Sequence, residues 1–244
     1  MQENLTKVGA MKKLMKENKG VATWKQIYED IENYYPAAKV SKVWKEGLRG
    51  VLYREIRNKR NFKRIGLGIF ALEDYQEEIK PIPKQKVRFH SFMEGCLIEM
   101  GNFKKFLTYT PDKTAIFKDN VFLNQIETIE EFPEFTYQEI INIVKRIDVI
   151  WFNQKGFKFP HKAFEVVDSI GTLSESLNRC LQLKAFNLQF YIVAPEEYKK
   201  KVNEKINAEP YFEFKERFSF LNYEKITSLY EHAIKSNELK SELI

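Results

Sequence analysis

Lys145-Arg-Ile-Asp-Val-Ile-Trp-Phe152 and Ala163-Phe-Glu-Val-Val-Asp-Ser169 decide how this chain is read. Each is a short apolar run carrying one carboxylate, Asp148 in the first and Glu165 in the second. A turn from Asn153 to Lys162, containing Gly156 and Pro160, joins them. Apolar runs of this length bounded by turn residues read as buried strands. Two neighbouring strands that each bring an acid to one end make a place for a divalent cation, because buried carboxylates without a counter-charge are costly.

Downstream, Thr172 or Ser174 caps a helix reaching Phe186, and Leu188–Pro195 is a strongly β-type run. A charged helix over 196–206, a strand over 217–222 and a closing helix over 223–235 complete the chain. Upstream, Thr136 caps a helix to Val144, and 102–137 reads as aromatic-rich strand and loop. A helix starts at His90, with Phe92, Met93, Cys96, Leu97 and Met100 apolar, Glu94 and Glu99 as its acids, and Gly101 as its stop. Strands alternating with helices indicate a mixed α/β core over residues 89–244. Residues 75–88, with Pro81 and Pro83, read as a linker.

Residues 1–74 have a different pattern. An amphipathic helix spans 6–19 and ends at Gly20. Thr23 caps a second helix, Trp24–Tyr34, which Pro36 breaks, and Ser41 opens a third. Alternating apolar residues around Gly66 and Gly68 then predict a β-hairpin. Three helices followed by a hairpin is the order of a winged helix-turn-helix. This segment holds 16 Lys/Arg against 9 Asp/Glu, and the rest of the chain 24 against 25. The asymmetry predicts an N-terminal surface for double-stranded DNA, contacted by Lys42, Lys45, Arg49, Arg57, Lys59, Arg60, Lys63 and Arg64. A winged helix can equally dock an acidic protein; steep loss of DNA affinity with salt would separate the two.

Composition bounds the rest. The chain has 244 residues, is 43% hydrophobic and carries a net charge of +6, enough for one large or two small domains. Cys96 and Cys180 form no CxxC pair and read as buried thiols of a reducing cytosol. No apolar leader and no ~20-residue apolar span is present, so a soluble cytoplasmic protein with no membrane contact is expected. The histidines, His90, His161 and His232, are scattered without zinc spacing. Neither a GxxxxGK[ST] phosphate loop nor a GxSxG elbow occurs. Phe103, Phe106, Tyr109, Phe117, Phe122 and Phe132 are candidates for a base pocket or simply for core.

Residues 6–72 resemble the HARE-type helix-turn-helix of restriction and chromatin-associated proteins, on Gly20-Val-Ala-Thr-Trp-Lys-Gln-Ile-Tyr28 and Phe62-Lys-Arg-Ile-Gly-Leu-Gly-Ile-Phe-Ala-Leu72. Residues 90–235 resemble PD-(D/E)XK nucleases of the restriction-endonuclease type. The carriers are the His90–Gly101 helix, the runs around Asp148 and Glu165, the Ser174–Leu183 helix and Phe190-Tyr-Ile-Val-Ala-Pro195. The resemblance implies Mg²⁺, with Mn²⁺ as substitute, held by Asp148, Glu165 and the Val166 carbonyl. It also implies a helix acid beside them, Glu99 first and Glu94 second. Ser169, Thr172 and Arg179 follow the second acid, where they could touch phosphate. The third position of the pattern is usually Lys, but here it is Val167, which has no hydrogen-bonding group in its side chain. Three accounts are open. Another residue takes the role, with Lys162, Asp168, Arg179 and Lys184 nearby; the metal works with two acids and a helix Glu; or the domain is inactive. The expectation is a two-domain, metal-dependent restriction-type DNA endonuclease acting as a homodimer. The alternative is a catalytically inactive DNA-binding protein or subunit on a nuclease fold.

Overall fold

The computed structural model describes residues 5–76, 89–119 and 121–242, with side chains to Ser236. Most of the expected linker lies outside the described residues. The chain divides into two compact units, Met1–Ile82 with Ile234–Ile244, and Pro83–Ala233.

In the first unit, α1 (Lys7–Glu17) buries Ala10, Met11, Leu14 and Met15, the apolar stripe of its sequence. Gly20 closes the turn after it with φ +89°. β1 (Val21–Thr23) leads into α2 (Trp24–Asp30). Thr23 is the cap: its hydroxyl accepts from the Gln26 amide at 3.2 Å, and the Gln26 side chain accepts from the Thr23 amide at 2.9 Å. α3 spans Trp44–Arg57. Ser41 does not open it; the Ser41 hydroxyl accepts from the Val43 amide in a turn, and the helix starts three residues later. β2 (Phe62–Arg64) and β3 (Ile69–Leu72) form the expected hairpin, and β1 adds to it antiparallel in the order β1-β3-β2. Leu48, Leu52, Phe62 and Phe70 are fully buried against the α1 stripe.

The second unit is built on a five-stranded mixed sheet. Its strands are β4 (Leu107–Tyr109), β7 (Val149–Phe152), β8 (Pro160–Val166), β9 (Gln189–Ala194) and β10 (Phe218–Asn222), ordered β10-β9-β8-β7-β4. β4, β7 and β8 are antiparallel neighbours, whereas β8, β9 and β10 run parallel. β5 (Ile116–Lys118) and β6 (Val121–Phe122) make a separate pair. The helices are α4 (Phe89–Phe103), α5 (Gln138–Val144), α6 (Leu173–Leu181), α7 (Lys199–Ile206) and α8 (Tyr223–Glu242), of which the part up to Ala233 belongs to this unit. Neither α5 nor α6 has a side-chain cap; the Thr172 hydroxyl donates instead to the Ser169 carbonyl.

Strand alternation sorts β7 and β8 into two faces. Val149 pairs with Phe164 and Ile150 with Ala163. Trp151, on the Val149 face, donates its indole N–H to the Leu97 carbonyl of α4 at 3.1 Å. Ile150, Phe152, Ala163 and Val167 pack with Leu177 and Cys180 of α6 and Val202 of α7. The sheet is therefore covered on both faces. Gly101 does not stop α4, which runs two residues further. A Cβ there would lie 2.6 Å from Thr108 and 2.7 Å from the Trp151 indole, so the glycine lets the helix lie close on β4 and β7. Among the described residues no helix is long and apolar enough to cross a membrane.

Candidate active site

Asp148 stands one residue before β7, at the edge where β7 meets the end of β8. Its Oδ2 accepts from the Val166 amide at 2.7 Å, which fixes the carboxylate to the neighbouring strand. His90 and Glu94 sit one turn apart on α4, the i, i+4 spacing that places side chains on one face. His90 Nε2 lies 3.7 Å from Asp148 Oδ2 and 3.9 Å from Glu94 Oε1. The ligating atoms of His90, Glu94 and Asp148 all lie within 4.8 Å of one another. On the other side of the ring, Nδ1 lies 3.3 Å from Asp168 Oδ2. Asp168 Oδ1 accepts from the Tyr223 hydroxyl of α8 at 2.5 Å.

The electrostatics follow from this crowding. Burial pushes the Glu94 carboxyl well above its ordinary value, and the Asp148 charge pushes the same way. Burial alone would lower the His90 imidazole, but Asp148 and Asp168 override it and hold the ring up at about 10. One oxygen of Glu94 faces the Thr110 hydroxyl at 3.3 Å; the other, Oε2, has no hydrogen-bond partner among the described residues. An imidazole, two carboxylates and an unsatisfied buried oxygen fit a divalent cation by donor type.

Glu165 occupies a different environment. It is fully buried, and both its oxygens accept from Arg179 of α6, Oε1 from Nε at 2.7 Å and Oε2 from Nη2. Burial raises the Glu165 carboxyl to about 8 against the pull of Arg179, with Asp148 adding to the rise. Arg179 also reaches Glu175 at 3.1 Å and Ser176 at 3.3 Å, so its guanidinium is committed within the protein. Val166 is buried, with its amide given to Asp148. Val167 is fully buried in the core beneath α6. Lys162 gives its ammonium to the Tyr191 hydroxyl at 3.1 Å.

Glu99 is not brought to the Asp148 group. It is buried on another side of α4, where the Tyr230 hydroxyl donates to it, and Tyr230 also meets Lys118 at 2.9 Å. The helix acid beside Asp148 is Glu94. Asp168 was among the residues the sequence offered for the third role; His90 was not singled out, and its i, i+4 relation to Glu94 on one helix was the clue available. Four of the aromatic candidates pack against other elements. Phe117 packs against Gly95, Tyr109 and Phe132 meet edge to face, and Phe106 stacks on Trp151 and His161. Cys96 and Cys180 are buried free thiols.

In the first unit, Lys42, Lys45, Arg49, Arg57, Lys59 and Arg60 are exposed on α3 and its flanking turns. Arg49 donates to the Tyr28 hydroxyl at 2.6 Å, and Lys45 lies over the Tyr28 and Trp44 rings. Lys63 and Arg64 are half-buried; Lys63 donates to the Tyr75 carbonyl and Arg64 to the Tyr53 hydroxyl at 2.9 Å.

No curated protein and no solved structure matches the chain. The sequence model of the Type II restriction enzyme NmeDI C-terminal domain matches residues 71–243, a stretch that contains α4, both strands flanking Asp148 and every residue of the His90–Glu94–Asp148 group. With so much of the chain covered, it belongs to the Type II restriction enzyme NmeDI C-terminal domain family.

Proposed function

We propose that this protein is a metal-dependent DNA endonuclease of restriction type, hydrolysing phosphodiester bonds in double-stranded DNA. The observation that carries the reading is the convergence of Asp148, Glu94 and His90 at one end of the sheet, inside a chain of a restriction-enzyme family. Asp148 binds the cation, held in place by the Val166 amide. Glu165 and Arg179 brace the neighbouring end of β8. A divalent cation bound there, Mg²⁺ or Mn²⁺, supplies Lewis acidity toward the scissile phosphate and the attacking water. The first unit reads as a winged helix-turn-helix, with the exposed basic side chains of α3 on DNA phosphates. The mixed sheet with α4 laid across the Asp148 end is consistent with a PD-(D/E)XK core. A homodimer would place one such site on each strand of a symmetric sequence.

The test is incubation of plasmid and phage DNA, methylated and unmethylated, with Mg²⁺ or Mn²⁺. Wild type is expected to give discrete fragments that vanish with Asp148→Ala. A second reading, a non-catalytic DNA-binding subunit, is favoured by one observation: Val167, at the position usually taken by lysine, is sealed in the core. Salt-sensitive DNA binding with no cutting under any of these conditions would replace the first reading with the second.

A further inference from the structure

His90 turns its two ring nitrogens to different carboxylates. Nε2 faces Asp148 and Glu94 at 3.7 and 3.9 Å. Both separations are longer than a hydrogen bond, which would hold such atoms at about 2.7–3.2 Å. The three groups surround a common space without bonding across it. Glu94 is 1% exposed, and its Oε2 has no partner among the described residues. A buried oxygen in that state is costly, and a cation held by the Glu94 carboxylate would offset that cost. Asp168 approaches Nδ1 and is itself held by Tyr223. A carboxylate on the far nitrogen is what fixes the tautomer and ring orientation of a metal-bound imidazole.

We propose that His90 Nε2 is a metal ligand, releasing its proton to solvent as it shares one divalent cation with Asp148 and Glu94, and that Asp168, held by Tyr223, is its positioning residue. The inference rests on the metal-dependent reading above and names the shell of that site. It leaves Glu165 outside the shell, since Arg179 occupies both its oxygens. One imidazole among carboxylates disfavours Mg²⁺, a hard ion that takes oxygen ligands in a near-ideal octahedron, and Mn²⁺ serves as the probe.

The experiment is Mn²⁺ titration of the full chain, read by electron paramagnetic resonance, with electron spin echo modulation to detect nitrogen coupled to the ion. Wild type is expected to bind Mn²⁺ with an imidazole nitrogen signature, and Mg²⁺ to compete only in excess. His90→Ala removes the signature and weakens binding. Asp168→Asn keeps the signature and weakens binding by about 10–100-fold, the usual effect of losing a ligand's partner. Glu99→Gln leaves both unchanged. The chain has three histidines, so His161→Ala/His232→Ala leaves His90 as the sole imidazole. That variant must retain the signature, which decides the matter even if His90→Ala fails to fold. Bound Mn²⁺ with no coupled nitrogen, or coupling lost in the double variant, overturns the proposal. If that ion still needs Asp148, the endonuclease reading stands; absence of any Mn²⁺ or Mg²⁺ binding overturns both.

Discussion

Arg179→Met should act mainly through stability, and by an amount that depends on pH. In the native protein the Glu165 carboxyl is fully buried and both its oxygens are taken by a guanidinium that is itself only 15% exposed. Removing one partner of such a pair costs about 3–5 kcal/mol, because the other charge is left buried and alone. At about 2–4 °C per kcal/mol for a chain of this size, the melting temperature falls by about 6–20 °C. Methionine keeps most of the arginine stem, so little of the loss comes from packing. The pH dependence follows from Glu165, whose carboxyl moves from an ordinary 4.5 up to about 8 on folding. A raised carboxyl makes folding more favourable at low pH, and that contribution is lost as pH rises from about 4.5 through about 8. Without Arg179 the carboxyl rises further. The variant's deficit against wild type is therefore largest above pH 8 and shrinks toward pH 5, where both proteins carry a neutral Glu165. Urea denaturation in chelator at pH 5, 7 and 8.5 measures it. Adding Glu165→Leu to Arg179→Met should recover most of the loss at pH 8.5. A deficit independent of pH, or no recovery in the double variant, would refute the pairing argument and return Arg179 to the list of phosphate contacts.

Gly95→Ala should destabilise by about 1–3 kcal/mol in urea, the cost of overpacking, because its Cβ would lie 2.1 Å from the fully buried Phe117 ring. Arg57→Ala and Arg60→Ala, both exposed, should each flatten the log-affinity against log-salt plot for duplex DNA by about 0.9; unchanged slopes would remove them from the interface. Arg64→Ala should instead show as a loss of about 1 kcal/mol in unfolding free energy, since its guanidinium is on the Tyr53 hydroxyl. Val167→Lys should lower stability by several kcal/mol without adding cleavage activity, because it buries an ammonium beneath α6; new or increased cutting by that variant would show that the side chain at 167 does reach the reacting groups.

What could be read in the sequence was local. Thr23 with Gln26 announces a helix start because both halves of the capping box lie three residues apart. The hairpin at 62–72 and the strands around Asp148 and Glu165 carry their period within a few residues. Ser41 misled because a serine hydroxyl satisfies a turn as readily as a helix end. Gly101 misled because a glycine read as a helix stop also serves a close approach, and only the position of Trp151, fifty residues on, tells the two apart. The site was half legible for the same reason. Asp148 stood out as an acid between apolar residues. His90 and Asp168 lie far apart in the sequence, and nothing in either local stretch says that α4 and the end of β8 bring them together. Choosing Glu94 over Glu99 needed the rotation of α4 against the sheet, which the Leu97 carbonyl fixes through Trp151.

The valine at 167 has a physical reading once the two faces of β8 are separated. Ala163, Glu165 and Val167 alternate onto the face covered by α6, and Phe164 and Val166 onto the face toward α4. A lysine two residues after an acid shares that acid's face, so it can serve the reaction only if the shared face opens to substrate. Here that face is closed by Leu173, Leu177 and Cys180, and the cation that Glu165 needs comes from α6 as Arg179. The charge balance of Glu165 is thus met from the helix, and an ammonium at 167 would be a second cation beside a carboxylate already paired. At the same strand end the chain leaves β8, and Asp168 swings out to His90 and Tyr223. On the proposed reading the polar chemistry at this strand end is divided: Arg179 takes both oxygens of Glu165 and holds the end of β8, and Asp148, Glu94 and His90, steadied by Asp168, form the group that would hold the cation.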